Sequence, residues 1–207
     1  MSQVDVTVTC PVFDSFRVQQ VGGMFDVPIA ERASERFQID VPQLGDQWHL
    51  GLIVGPSGSG KSTIAREIFG DRLYRCGAWP RDRAVVDCMG ELPIKEIVSL
   101  FTAVGFGSPP SWIKPYHVLS GGEKFRCDLA RALAEGVESG EWRVESEQVQ
   151  PSPLSPHHSP LPLVAFDEFT SVVDRNVARI ASAAIAKAVR RGTVSCRFVA
   201  VTCHYDV

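Results

Sequence analysis

A loop of small residues around one lysine is the first stretch of this sequence that could do chemistry. It reads GPSGSGKST and fits the spacing G-x-x-x-x-G-K-S/T through Gly55, Pro56, Ser57, Gly58, Ser59, Gly60, Lys61, Ser62 and Thr63. Glycines let the backbone N–H groups approach phosphate oxygens, Lys61 can neutralise the β and γ phosphates, and the Ser62 hydroxyl can bind Mg²⁺. The pattern predicts a site for a nucleoside triphosphate with Mg²⁺; the alternative is a flexible Gly/Ser turn.

The elements on either side of this phosphate loop, residues 55–63, support the first interpretation. The run HLGLIVG before it is nearly continuous in apolar residues and predicts a strand buried on both faces. The run STIAREIFG after it predicts a helix that Gly70 ends. A loop between a buried strand and a helix amino terminus can bind phosphate, because the first N–H groups of the helix are unpaired and lie at the positive end of its dipole.

A pair of acidic residues closes another apolar run, LPLVAFDE. Asp167 at the tip of this predicted strand can hold the Mg²⁺ shell, and Glu168 beside it can polarise a water molecule. Two acids after an apolar strand also occur by chance.

A second small-residue turn, LSGGE, precedes a predicted helix. Ser120, Gly121, Gly122 and Glu123 could form another phosphate-sized concavity, although the same letters describe an ordinary turn and helix start. A chain with one triphosphate site has little need for two such turns.

The order of the elements indicates the fold class. Apolar residues at helical spacing over 94–104 predict an amphipathic helix, and further helices are expected over KFRCDLARALAEG and from Asp174 to Arg191. These alternate with the strand LPLVAFDE and the strand RFVAVTC, which predicts an α/β protein with a mainly parallel sheet and a short helical insert. Two short strands, SFRVQQV and FQIDVP, are expected to form an amino-terminal β element.

Length and composition bound the remaining possibilities. The 207 residues, 44% hydrophobic and 22% charged, suit a single domain over 1–207. The Pro-rich stretch 138–162 is expected to be a disordered insert, because its five prolines exclude regular helix or central strand. A net charge of −3 disfavours nucleic acid as an obligate partner, and the absence of a basic amino terminus or a long apolar run favours a cytoplasmic protein.

The ordered set of motifs resembles the ATP-binding cassette (ABC) ATPases, members of the P-loop NTPase class, over most of the chain. The set comprises the phosphate loop, LSGGE, LVAFDE, SVVD and a strand-end histidine. The resemblance implies ATP binding and hydrolysis with Mg²⁺ in a nucleotide-dependent head-to-tail homodimer. It makes residues 55–63 the Walker A loop, residues 120–123 the signature, and Asp167 with Glu168 the Walker B pair.

The same resemblance implies further roles. Lys61, Glu168 and His204 would be catalytic, with His204 as the switch histidine, and Asp174 would be the D-loop aspartate. Phe25 lies where such ATPases stack an aromatic ring on adenine, although Phe16 competes for that role. His204 could also be a strand-end histidine without a role in catalysis.

Several features depart from the family pattern of transporter cassettes. There is no Gln between Lys61 and Ser120, where such cassettes carry one, and the nearest substitutes are Asp87 and Glu91. The helical interval is short, and the chain ends three residues after His204, which predicts a truncated or minimal form with an additional domain or partner beyond that end. FDEFTSVVDR and TCHYDV are similar to soluble ABC-type ATPases that are sometimes joined to an acetyltransferase-like domain.

These features favour a soluble ABC-type ATPase with no stable membrane partner. The alternatives are the ATP-binding subunit of a membrane transporter and an ATP-dependent binding switch in DNA or translation processes.

Overall fold

The structure is a computed structural model that describes residues 2–29, 32–42, 48–139, 161–171 and 173–205. The chain divides into two compact units, Met1–Gln43 and Leu44–Val207, and each is described by itself. The expectation of a single domain over 1–207 stays a prediction.

The amino-terminal unit is a two-stranded antiparallel ribbon with one helix. Strand β1 (Ser2–Pro11) pairs with β2 (Arg32–Val41) along its whole length, and helix α1 (Phe16–Phe25) lies between them in sequence. The predicted strand SFRVQQV is therefore wrong, since these residues lie in α1. Its apolar side chains recur at helical spacing, and the Ser15 hydroxyl accepts a hydrogen bond from the Val18 N–H as an N-cap.

The second unit is a four-stranded parallel sheet flanked by helices. Its strands are β3 (Leu50–Val54), β4 (Leu73–Tyr74), β5 (Leu163–Phe166) and β6 (Arg197–Thr202), in the order β3-β6-β5-β4. Its helices are α2 (Lys61–Phe69), α3 (Ile94–Ala103), α4 (Pro109–Trp112), α5 (Gly121–Ser139) and α6 (Arg175–Arg190). The predicted α/β class with a parallel sheet is confirmed.

Strand β3 differs from its expectation in burial. It lies at the edge of the sheet and pairs with β6 alone within the described part, and the Leu52 side chain is 54% exposed. The continuous apolar run thus predicted the strand correctly but not its position in the sheet. Periodicity cannot separate an edge strand from a central one when both faces carry aliphatic residues.

An aromatic core fixes the end of β5 against its neighbours. Phe166 stacks on Tyr74, and its ring meets the rings of Phe125 and Phe169 edge-on, with centroids 6.1 and 5.9 Å away. Phe169 also contacts Phe198 of β6 at 5.7 Å. Because Phe125 belongs to α5, this core connects three strands to the helix that follows the signature.

The stretch predicted to be a disordered insert, 138–162, falls largely outside the described residues. Helix α5 extends through Ser139, and the chain is described again from Leu161. Among the helices that are described, none has the length and hydropathy that crossing a bilayer requires.

Candidate nucleotide-binding site

The phosphate loop joins the end of β3 to the start of α2, as its sequence predicts. Gly58 and Gly60 have φ angles of 80° and 77°, in the left-handed region that glycine adopts without strain. Gly60 is the N-cap of α2 and has no side chain to cap it, so the first N–H groups of the helix are available to an anion. The Lys61 ammonium donates to the Pro56 carbonyl oxygen at 2.6 Å, which folds its side chain back over the loop.

A hydrogen bond connects this loop to the acidic pair. The Ser62 hydroxyl donates to Oδ1 of Asp167 at 2.8 Å, across 105 residues of sequence. A hydroxyl and a carboxylate are hard oxygen ligands of the kind that Mg²⁺ binds, so this pair fits a magnesium ion. The sequence assigned both residues to the metal, and the structure brings them together.

The turn after Asp167, residues 168–171, has an unusual backbone. Glu168 and Thr170 have φ angles of 52° and 70°, and the Ser171 N–H donates to the Glu168 carbonyl oxygen at 3.0 Å. Between them the Phe169 N–H donates to the Val201 carbonyl oxygen at 2.8 Å, and its ring is buried. This turn, named the catalytic turn after the role that the family resemblance implies for Glu168, is anchored on β6 through Phe169 and leaves the Glu168 side chain exposed at the carboxyl end of the sheet.

His204 lies close to the same turn, just beyond the carboxyl end of β6. Its Nδ1 is 3.0 Å from the Thr170 hydroxyl, and its backbone N–H donates to the Thr202 hydroxyl at 3.1 Å. Since β3, β6 and β5 are adjacent parallel strands, the phosphate loop, His204 and the Walker B pair all lie at the carboxyl ends of these strands. Open α/β sheets bind their ligands at this carboxyl edge.

The signature forms the start of α5. The Glu123 carboxylate accepts from the Ser120 N–H at 2.9 Å, and the Ser120 hydroxyl accepts from the Glu123 N–H at 3.4 Å, which together form a capping box; the same hydroxyl also donates to the carboxylate at 2.7 Å. The Ser111 hydroxyl donates to the other carboxylate oxygen at 2.6 Å. The hydrogen bonds from Ser111 and Ser120 lower the pKa of Glu123 to about 2. Gly121 and Gly122 occupy the first turn of the helix, as the sequence predicts.

Two further predicted residues have local positions that the structure describes. Asp174 is the N-cap of α6, where its carboxylate accepts from the N–H groups of Asn176 and Val177 at 2.8 and 3.1 Å. Phe25 ends α1 in the amino-terminal unit and is 69% exposed. Their roles toward a nucleotide stay predictions.

A polar cluster around the buried Asp128 was not predicted from the sequence. Asp128 of α5 accepts from the Trp79 indole N–H at 2.8 Å and the Tyr116 hydroxyl at 2.6 Å, and Cys76 also hydrogen-bonds to it. Burial raises the pKa of Asp128, and burial raises the pKa of the Cys76 thiol to about 11. The sequence signal for this cluster is an acidic residue among apolar ones in a predicted helix, since Asp128 lies between Cys127 and Leu129.

Cys76 lies in the interval that lacks Gln, two residues beyond the end of β4. In that strand Tyr74 pairs with Phe166, and the Asp167 N–H donates to the Tyr74 carbonyl oxygen at 3.4 Å, so the chain leaves β4 next to the Walker B pair. The Cys76 side chain hydrogen-bonds to Asp128. The two candidate substitutes for the Gln, Asp87 and Glu91, lie later in this interval, in and just after a short 3₁₀ turn over 85–88.

The arrangement supplies three chemical functions at one sheet edge. Unpaired N–H groups and Lys61 can bind phosphates, Ser62 and Asp167 can bind a divalent cation, and Glu168 with His204 can act on a water molecule or a phosphate oxygen.

The comparisons with known proteins bear on this fold. No protein-family model matches the chain, and no curated protein does. Among solved structures it is similar to MJ0796, a bacterial ABC transporter cassette, in its dimeric form (16% identity, TM-score 0.53, 81% of this chain and 78% of that one). The same cassette in a dimeric post-hydrolysis state bound to ADP and Pi gives 15% identity and a TM-score of 0.52, over 81% of this chain and 78% of that one.

Two other structures are also similar. One is a putative cobalt transport ATP-binding protein, ST1066, with 18% identity and a TM-score of 0.51 over 87% of this chain and 67% of that one. The other is a bacterial Atm1-family ABC exporter with ATP bound, with 18% identity and a TM-score of 0.49 over 76% of this chain. The chain spans 29% of that exporter's length. Together with the sheet order and the loop geometry, the cassette likenesses show that this chain has the α/β fold of the ATP-binding cassette ATPases.

Proposed function

We propose that the protein is an ABC-type ATPase that binds ATP with Mg²⁺ at the phosphate loop and hydrolyses it. The observation that carries this proposal is the hydrogen bond between Ser62 and Asp167. It brings the two residues that the motifs assign to the metal within 2.8 Å of each other, at the strand ends where the loop and the acidic pair meet. If the loop were only a flexible Gly/Ser turn, this hydrogen bond between Ser62 and Asp167 would not be expected.

Each residue of the site has a role that follows from its position. The N–H groups at the start of α2 and the Lys61 ammonium hold the phosphates, once Lys61 exchanges the Pro56 carbonyl for a phosphate oxygen. Glu168 orients the attacking water and accepts its proton. A bound Mg²⁺ would neutralise charge on the β and γ phosphates, held by Ser62 and Asp167. His204 donates a hydrogen bond to the γ phosphate.

We further propose that ATP closes a head-to-tail homodimer in which the signature of one copy acts on the nucleotide of the other. In the structure the Ser120 hydroxyl accepts from the Glu123 N–H, so the N–H groups of Gly121 and Gly122, which have no acceptor within the helix, remain at the start of α5 as a second anion site. A single chain that binds one nucleotide at the phosphate loop makes no use of this second site. In a dimer with a two-fold axis, each nucleotide contacts the phosphate loop of one chain and the signature of the other.

The catalytic roles are tested by comparing Glu168→Gln with Lys61→Ala. Glu168→Gln should bind ATP as the wild type does and reduce hydrolysis by roughly 10²–10⁴-fold, because only the base is lost. Lys61→Ala should weaken ATP binding itself. Equilibrium binding of a fluorescent ATP analogue and phosphate release measure the two effects. Wild-type turnover by Glu168→Gln would remove Glu168 from this role.

The composite site is tested by mixing two inactive variants. A Ser120→Arg chain mixed with a Lys61→Ala chain gives heterodimers with one intact site, so the mixture should recover some of the activity that neither variant shows alone. Size-exclusion chromatography with tagged copies establishes that heterodimers form. Heterodimers without any recovered ATPase activity would contradict sites built from two chains.

We also propose that the ATPase works in the cytoplasm without a stable membrane-embedded partner. The support is the interval after α2, which has no Gln. Its helical part holds only α3 and the four-residue α4 as α-helices. Affinity purification from detergent-solubilised membranes should recover no multi-spanning protein. Recovery of one, lost on substituting the surface around 87–91, would overturn this proposal and support the transporter alternative.

A further inference from the structure

Thr170 has a backbone that is costly for its residue type. Its φ angle is 70°, and it is fully buried. A β-branched side chain in the left-handed region is a true outlier, because its Cβ substituents crowd the backbone there. Glycine would relieve that strain, so the turn keeps a threonine at a conformation that favours glycine. Such strain is found where a side chain performs a task, and its hydroxyl contacts indicate which one.

The Thr170 hydroxyl contacts two groups. It is 3.0 Å from Nδ1 of His204 and 3.2 Å from the hydroxyl of Thr202, and the Thr202 oxygen in turn accepts from the His204 backbone N–H. Thr202 is 1% exposed, so bulk water does not reach its hydroxyl. Every donor in this buried set therefore has to be matched to an acceptor within it.

Only one direction of the hydrogen bonds gives both buried threonine hydroxyls an acceptor. Thr202 accepts from the His204 N–H and donates to Thr170, and Thr170 donates to Nδ1 of His204. In the opposite direction Nδ1–H donates to Thr170 and Thr170 donates to Thr202. The Thr202 hydroxyl proton then has no described acceptor. A buried donor without an acceptor costs more than the bond it replaces gains, which favours the first direction.

We propose that Thr170 is a positioning residue that fixes the tautomer of His204. With Nδ1 as an acceptor, the neutral imidazole carries its proton on Nε2 and presents an N–H donor on the side away from the buried threonines. The role of that donor at the γ phosphate rests on the proposed function, whereas the tautomer itself does not. The Thr170 side chain thereby connects the catalytic turn to His204, although Thr170 belongs to neither motif.

The tautomer is tested by long-range ¹H–¹⁵N correlation spectra of the histidine ring, with His204 assigned from the spectrum of His204→Ala. The wild type should show protonated Nε2 and unprotonated Nδ1 at neutral pH. Thr170→Val keeps the shape of the side chain and removes the hydroxyl, so the ring should become a mixture of both tautomers. Thr170→Ser keeps the hydroxyl and should restore the wild-type pattern. A wild-type ring protonated on Nδ1 would overturn the proposal, even if Thr170→Val does not fold.

Turnover provides the second readout. Because a net hydrogen bond corresponds to a roughly 2- to 10-fold change in a two-state ratio, Thr170→Val should reduce kcat by about that factor. The KM for ATP should be unchanged, and Thr170→Ser should recover kcat. In a His204→Ala background Thr170→Val should have no further effect, since its only route to the reaction is removed. Equal losses in both backgrounds would contradict a role through His204.

The two proposals fail in different ways. Absence of ATPase activity in every variant, with the expected tautomer in the wild type, would refute the proposed function and support the placement by Thr170. Normal ATPase activity with an unchanged tautomer in Thr170→Val would refute the positioning role and leave the proposed function intact.

Discussion

Phe169 connects the packing of the core to the geometry of the catalytic turn, and Phe169→Leu tests that connection. Its ring is buried among Phe125, Phe166 and Phe198, with centroid distances of 5.6, 5.9 and 5.7 Å. Its backbone lies between Glu168 and Thr170, both of which have positive φ angles. The ring therefore holds a turn that local conformational preference would not form.

The expected loss of stability follows from the three ring pairs. Each aromatic pair contributes about 0.5–1.5 kcal/mol beyond the area it buries, so replacing the ring by a branched aliphatic chain should cost roughly 1.5–4.5 kcal/mol. For a protein of this size a loss of about 3 kcal/mol corresponds to a Tm decrease of roughly 6–12 °C. Native proteins have about 5–15 kcal/mol of stability, so the variant should still fold.

The matched control is Phe106→Leu. Phe106 is equally buried, and its ring contacts Phe101 and Trp112 at 5.2 and 6.3 Å, away from the catalytic turn. Both variants should lower the Tm in thermal melts followed by circular dichroism. Phosphate release measured below the lower of the two transitions should fall in Phe169→Leu alone. Equal turnover in the two variants would show that the turn keeps its geometry without the ring.

Three further predictions follow from single contacts. Ser62→Ala should raise the Mg²⁺ concentration for half-maximal ATPase activity at least roughly 10-fold, since a metal ligand is lost, whereas Ser62→Thr should not. The ionised Glu123 carboxylate stabilises the fold, and this stability is fully present above pH 4.5 and is lost as the pH falls toward about 2. The wild type should therefore lose stability over this range that Glu123→Gln does not lose, and the Tm measured as a function of pH tests this. Gly136→Ala should destabilise the protein by about 1–3 kcal/mol in urea unfolding, because its Cβ would overlap Val164, and adding Val164→Ala should recover part of that loss.

Much of the second unit could be predicted from the sequence, because its elements carry strong local signals. The helix over 94–104 has apolar residues at helical spacing and is found as α3. The helix predicted from Asp174 to Arg191 is found as α6, with Asp174 as its N-cap. Strands β5 and β6 were visible as apolar runs. Their order in the sheet was not, since it depends on pairing between segments far apart in sequence.

The amino-terminal unit shows where local reading fails. SFRVQQV alternates over its first four residues like a short strand, yet Val18 and Val21 already lie at helical spacing, and Met24 and Phe25 continue that pattern beyond the stretch. The alternation of valines at 4, 6 and 8 was the matching signal for β1. Strands β1 and β2 pair in antiparallel register along their full length.

The residues of the candidate site were assigned by motif, but the hydrogen bonds between them were not predicted. Ser62 and Asp167 were both assigned to the metal without knowledge of their hydrogen bond. Thr170 and Thr202 gave no signal, because a threonine after an acidic pair and a threonine near a strand end are both common. Their significance comes from a positive φ angle and from distances across 32 residues, quantities that a linear pattern does not contain.

The turn after β5 connects the phosphate loop to His204 within four consecutive residues. Asp167 accepts from Ser62 of the loop, and Thr170 contacts the His204 ring, while Glu168 and Phe169 lie between them. Phe169 is fixed to Val201 by a backbone hydrogen bond and packs against three rings, so the middle of this segment is rigid. Glu168 and Thr170, on either side of it, have backbones outside the common regions, so the packing of Phe169 has to offset the cost of both torsions. The positions of the Asp167 carboxylate and the Thr170 hydroxyl therefore depend on one buried ring, which is why Phe169→Leu is expected to disturb both.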